Sequence, residues 1–115
     1  MHYKNYISAV VCTKNSETNI RKCLHSLKNI KRIDEIILVD AKSKDNTINI
    51  AKEYCNKILY DNGKGLGAAR NLGVSNTKGE YILNIGNDNI IDEDTIKIMI
   101  DTLIINKATA VGCIT

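Results

Sequence analysis

Proline, phenylalanine and tryptophan are absent from this 115-residue chain, and its aromatics are five tyrosines. A core without Phe or Trp has to be aliphatic, and isoleucine recurs along the whole sequence. The missing proline, beside many Ile, Lys and Asn residues, points to codon usage rather than to chemistry. No apolar run approaches the roughly 18–20 residues that span a bilayer. The most apolar stretch, Ile96 to Ile105, is broken by Lys97, Asp101 and Thr102. No signal peptide is written at the start, so the expected compartment is a reducing cytoplasm or the inner face of its membrane. Cys12, Cys23, Cys55 and Cys113 form no C-x-x-C pair, which excludes a zinc knuckle and a thioredoxin motif. In apolar stretches such thiols act as small hydrophobes. His2 and His25 lack metal-ligand spacing. The net charge of +3 comes from scattered lysines, so there is no nucleic-acid footprint. That mild positive balance suits an anionic small molecule or a membrane surface.

What is present reads as one domain with one core. Hydrophobic periodicity alternates between strand and helix. Ile7 to Cys12 is a β-branched apolar run and reads as a buried strand. Ser16 then caps a helix with Ile20, Cys23, Leu24, Leu27 and Ile30 on one face. Glu35 to Val39 is a second strand, and Asp45 caps a helix carrying Ile48, Ala51, Tyr54 and Cys55. Lys57 to Tyr60 is a third strand and leads into the glycine-rich NGKGLGAARN, where a helix opens and runs to about Thr77. Glu80 to Ile85 is a fourth strand, Asp92 caps the last helix, and Ala110 to Ile114 reads as a fifth strand. Continuous apolar strands separated by helices imply an α/β fold: a Rossmann-like, open, mainly parallel sheet with helices on both faces.

In such sheets ligands bind beyond the carboxyl ends of the strands. Those ends carry Thr13-Lys14-Asn15, Asp40, Asp61-Asn62-Gly63 and Gly86-Asn87-Asp88, a polar and largely acidic edge. Asp88 there is a hard oxygen ligand suited to Mg2+ or Mn2+, which keep several waters and bridge phosphates. The plain alternative for Asp88 is turn formation. Asp40 can accept hydrogen bonds from ribose hydroxyls or a base N–H, or else serve the turn that follows it. The glycine stretch ends at a helix N-terminus, where free N–H groups attract phosphate, with Lys64 and Arg70 adding positive charge. Gly63, Gly65 and Ala68 also satisfy the dinucleotide pattern, a rival reading weakened by its position past mid-chain. No G-K-[ST] follows, so the stretch is not a Walker loop.

The blocks VVCTKN, EIILVDAKSKDNT, NGKGLGAARNLGVSNTKGEYIL and GND together resemble the family-2 glycosyltransferases, which have the GT-A fold. The resemblance runs from Ile7 to about Leu103 and implies a nucleotide-sugar-binding portion of that fold. It implies a UDP- or GDP-linked sugar as partner and Mg2+ or Mn2+ as cofactor, with the sugar transferred to an acceptor hydroxyl. It places Thr13 beside the base, Asp40 on base or ribose, Arg70 on the nucleotide and Asp88 on the metal. Asn15, Lys64 and Asn87 complete the expected nucleotide-sugar contacts by their place at the ligand edge.

Several positions depart from the family pattern. Cys12 stands for the usual proline, Ala41 for the second aspartate of D-D-G-S, and Lys42 for its glycine. Gly86 stands for the first aspartate of D-x-D. The acceptor half that supplies the family's catalytic base has no counterpart here, so no general base is assigned. These departures leave open a glycosyltransferase-like fragment that acts as a binding or interaction module. A sheet edge and an apolar patch without cover lead to the expectation of homo-oligomerisation, a partner chain or a peripheral membrane contact.

Overall fold

A computed structural model of the chain describes residues 3–61, 64–106 and 110–114. Among them strand and helix alternate without exception: β1 (Tyr3–Thr13), α1 (Glu17–Lys28), β2 (Glu35–Asp40), α2 (Thr47–Ala51), β3 (Lys57–Tyr60), α3 (Leu66–Ser75), β4 (Gly79–Gly86), α4 (Glu93–Asn106) and β5 (Ala110–Ile114). The sheet has the order β3-β2-β1-β4-β5, and every neighbouring pair is parallel. The chain therefore builds outward from β1 to β3, crosses back, and continues outward from β4. That reversal opens a crevice between the carboxyl ends of β1 and β4, where open α/β sheets bind ligands.

The two faces of the sheet are covered unequally. One carries Ala9, Val11, Ile36, Leu38, Leu83 and Ile85 against Ile20, Leu24 and Leu27 of α1 and Ile96 and Ile100 of α4. On the other, Val10 and Val39 pack with Ala69 of α3. Successive strand residues point to opposite faces, so a strand covered on both sides is buried throughout. β2 is buried at every position, while β4 alternates between buried and half-buried. β4 is thus packed on one face and open on the other, a difference that positions the site described below.

Element boundaries differ from the sequence expectation for local reasons. β1 runs longer, from Tyr3, with a register shift against β4 between Tyr3 and Ile7. α2 stops at Ala51 and unwinds through a turn before Cys55. Ser16 occupies the first cap position, but its hydroxyl bonds within the turn to Lys14. The first-turn N–H of Glu17 goes instead to the carboxylate of Asp45, which also accepts the Thr47 N–H at 3.0 Å. Asp45 therefore serves the start of two helices. Asp92 caps α4 as expected, accepting the Thr95 N–H at 2.7 Å.

α3 lies close on the sheet because Gly73 has no side chain. A Cβ there would meet Val10 Cγ1 at 2.5 Å and Val39 Cγ2 at 3.1 Å. Gly67, six residues earlier on the same helix, has open space around it. Gly73→Ala is expected to destabilise the fold by about 1–3 kcal/mol through overpacking. Gly67→Ala should stabilise it by about 0.5–1 kcal/mol through helix propensity. Urea unfolding of the two variants side by side measures this opposition.

Candidate functional site

The carboxyl edge of the sheet is assembled from two loops that are far apart in sequence. β1 ends at Thr13 and β2 at Asp40, register partners in adjacent strands. Thr13 Oγ1 donates to Asp40 Oδ1 at 2.7 Å. Ser43 donates its hydroxyl to the same oxygen and its backbone N–H to Oδ2 at 2.8 Å. Asp40 is only 1% exposed, so this carboxylate is a buried anion satisfied by local donors. The loops beyond are clasped the same way. Asn15 donates its N–H to Ser43 Oγ and accepts the Lys44 N–H on Oδ1, each at 2.7 Å, while the Ser16 N–H goes to Thr47 Oγ1. Asn15 and Lys42 both adopt left-handed backbone, with φ of 48° and 53°. Asn tolerates that region, whereas a lysine there is strained.

Two clefts open over this edge. The first, of about 310 Å³, is lined by Thr13, Val39, Ala41 and Asp61, with Gly65 and Ala69 from the α3 side. The second, of about 240 Å³, is lined by Val10, Arg70, Asn84, Gly86 and Asp88. Cys12, Leu66 and Asn87 line both, so the clefts adjoin across a shared wall. Asn87 is fixed there by its amide, which donates to the Cys12 carbonyl at 3.1 Å and so ties the end of β4 to the end of β1. α3 begins at Gly65, whose φ of 99° lets the chain turn into the helix beside both clefts.

The sequence-derived site residues fall into separate groups. Thr13 lines the first cleft, Asn87 both, and Arg70 and Asp88 the second. Asp40 is buried, its oxygens accept from Thr13 and Ser43, and it is not among the lining residues of either cleft. Asn15 is turned into the loop clasp and is not among the lining residues of either cleft. Lys64 is exposed and lines a third cavity with Tyr60, Asp61, Ala68 and Leu72, which adjoins the first cleft at Asp61. Gly63, part of the dinucleotide reading, lies outside the described residues. Sequence reasoning named the strand-end triplet containing Asp61 but gave that residue no role. It is buried, at 6% exposure, and lines the first cleft as an acidic group at the end of β3.

Among the described residues no group of three or more His, Cys, Asp or Glu side chains could hold an ion. The Cys23 thiol donates to the Gly86 carbonyl at 3.5 Å. Burial pushes its pKa up to about 12, and the charge of Asp88 adds to the rise.

The profile of glycosyl transferase family 2 matches residues 8–115, and the chain belongs to that family. It is 39% identical over 103 residues to the putative glycosyltransferase EpsH of Bacillus subtilis, covering 84% of this chain and 30% of EpsH. It is 34% identical over 99 residues to the Staphylococcus aureus poly(ribitol-phosphate) beta-N-acetylglucosaminyltransferase TarS, covering 78% of this chain and 17% of TarS. The crystal structure of S. aureus TarS 1–349 in complex with UDP-GlcNAc superposes with a TM-score of 0.77 at 27% identity, over 89% of this chain and 32% of that one. The Mycobacterium tuberculosis glucosyl-3-phosphoglycerate synthase, crystallised with Mn2+, UDP and glucosyl-3-phosphoglycerate, gives a TM-score of 0.75 at 21% identity, over 85% of this chain and 39% of that one. At that identity the likeness is one of fold. The GT-A, Rossmann-like architecture is therefore shared, although the chain spans only 30% and 17% of the lengths of EpsH and TarS. No helix among the described residues is long and apolar enough to cross a membrane.

Replacing Asp40 by Ala leaves the Thr13 hydroxyl and the Ser43 donors unpaired in a buried place. A loss of about 3 kcal/mol is expected, with Asp40→Asn milder because it keeps an acceptor. Lys42→Gly should relieve left-handed strain and raise stability by up to about 1 kcal/mol. Equilibrium urea denaturation of the three variants checks both statements. Acid should loosen the same loops. The Thr47 side-chain hydrogen bond holds the Asp45 carboxyl below its ordinary pKa. Its contribution is therefore complete above the unfolded value near ~3.9 and is lost as pH falls through the lower folded value.

Proposed function

We propose that these residues form one domain that binds a nucleoside-diphosphate sugar, UDP- or GDP-linked, for transfer of the sugar to an acceptor hydroxyl. The observation that carries this reading is the pair of adjoining clefts at the crevice between β1 and β4, one with apolar walls and the other bearing Arg70 and Asp88. The first cleft suits a flat base and ribose: Val39, Ala41 and Ala69 supply apolar contact, and Asp61 supplies an acceptor. Arg70 in the second supplies a cation for phosphate. TarS was crystallised with UDP-GlcNAc on the same fold, which supports a sugar nucleotide as the occupant.

A divalent metal fits this site only in company with its substrate. Asp88 is exposed at the rim of the second cleft and is the one carboxylate lining it. Mg2+ and Mn2+ are commonly held by one or two carboxylates, with phosphate oxygens and waters completing the shell. Asp88 would hold the ion from the protein side. When bound, the ion would neutralise charge on the diphosphate leaving group. The chain's own residues orient the donor: Asn87 fixes the wall between the clefts, Arg70 faces the phosphates, and the Asp40 clasp holds the loops in place. The cytoplasm, or the inner face of its membrane, is the compartment in which sugar nucleotides would meet such a domain.

A second reading is a glycosyltransferase-like binding module without transfer activity. Gly86 in place of an acidic residue, and the absence of an acidic cluster among the described residues, favour it. Sugar-nucleotide hydrolysis or transfer that disappears in Asp88→Ala would eliminate this reading.

Titration calorimetry with UDP, GDP and their sugars, with and without Mn2+, tests the main proposal. Mn2+ is expected to tighten binding, and Asp88→Ala should remove about tenfold or more of that gain, roughly 1.4 kcal/mol. Arg70→Ala should weaken binding with or without metal. A folded sample that binds no nucleotide under any condition would sink the proposal.

A further inference from the structure

The second cleft contains a polar side chain that the fold leaves unused. Asn84 sits in β4 between Leu83 and Ile85, both buried in the core beneath α1. Strand alternation turns Asn84 to the other face, where β4 is only half-buried. Its β1 register partner is Val10, and the cleft around it also includes Leu66 and Ile85. An aliphatic residue would satisfy these neighbours. An amide is there instead, and its Oδ1 is buried with no hydrogen-bond partner. A buried acceptor without a partner is a standing cost to the fold, and it persists where something outside the fold uses the group. As placed, Oδ1 is shielded from solvent, and a half-turn of the amide, which exchanges its oxygen and nitrogen, would present the acceptor to a ligand in the cleft that Asn84 lines.

We infer that Asn84 reads a hydroxyl or amide N–H on the sugar of the donor. This rests on the donor-binding reading above and adds which part of the donor the second cleft recognises. Arg70 and Asp88 in the same cleft are charged and suit the phosphates and their counter-ion. Asn84 is neutral and flanked by apolar side chains, which suits an uncharged polyol. A sugar lies directly beyond the diphosphate in such a donor, so one ligand extending from the first cleft would present its phosphates to Arg70 and its hydroxyls to Asn84. Asn84 is thereby a specificity-determining residue, distinct from the groups that hold the nucleotide.

The test compares Asn84→Leu with the unaltered 115-residue chain, using UDP against UDP-N-acetylglucosamine and GDP against GDP-mannose in the presence of Mn2+. In the unaltered chain one sugar nucleotide should bind more tightly than its bare nucleoside diphosphate. In Asn84→Leu the affinity for that sugar nucleotide should fall about fivefold or more, as expected for a lost hydrogen bond. Affinity for the bare diphosphate should stay within about twofold, and the unfolding temperature should hold or rise because the unpaired amide is gone. Asn84→Ala carries the same binding expectation should the leucine disturb the strand. Equal losses for the sugar nucleotide and the bare diphosphate would overturn the inference, as would a lowered unfolding temperature with unchanged sugar discrimination. Binding of the diphosphate with no gain from its sugar would also overturn it while leaving the donor-binding reading intact. Failure of every nucleotide to bind would remove both.

Discussion

Asp40 is a buried anion at the point where two adjacent parallel strands end, and its satisfaction constrains the whole ligand edge. A carboxylate at 1% exposure needs donors, and Thr13 and Ser43 supply them. Meeting that requirement fixes the end of β1 and folds the loop after β2 back over it. Asn15, Ser16 and Thr47 then complete the clasp. The mouth of the first cleft is therefore held by polar contacts, while its walls stay apolar. Stability and the shape of the cleft come from the same few groups.

The sheet order supplies the rest of the arrangement. Because the chain turns back between β3 and β4, α3 covers the face of the sheet opposite α1 and ends up beside the crevice. Gly73 lets that helix approach the sheet, and its first five residues include Leu66, Ala69 and Arg70, which line the clefts. The glycines of α3 and its cap thus have two separable uses. Gly65 provides the turn into the helix, and Gly73 provides close packing.

Most of the architecture was legible in the sequence because its strands are short, apolar and regularly spaced. The strands and the core face of α1 follow from Ile7–Cys12, Glu35–Val39 and the spacing of Ile20, Cys23, Leu24 and Leu27. Part of the cleft lining was legible too, since Thr13, Asn87 and Asp88 are strand-end polar residues. What could not be read was which strand-end polar groups face outward. Asp40 and Asp88 look alike in sequence, each following an apolar strand. Asp40 is buried because Ser43 and Thr13 converge on it, and that convergence spans 27 residues of chain. Asn15 likewise follows an apolar strand, and its hydrogen bonds to the loop 28 and 29 residues away have no local signal. The unpartnered amide of Asn84 has no local signal, because its neighbours come from β1, β5 and α3.

The central place of β1 also orders the folding of the chain. Its partners are β2 on one side and β4 on the other. As the chain emerges from a ribosome, β1 to β3 can pair early, but the second edge of β1 stays open until β4 has been made. The Asn87–Cys12 bond that joins the clefts closes a loop of 75 residues, so it belongs to the slow, non-local contacts. The crevice is therefore among the last parts of this domain to form, and any ligand that fills it acts on a region whose assembly completes the fold.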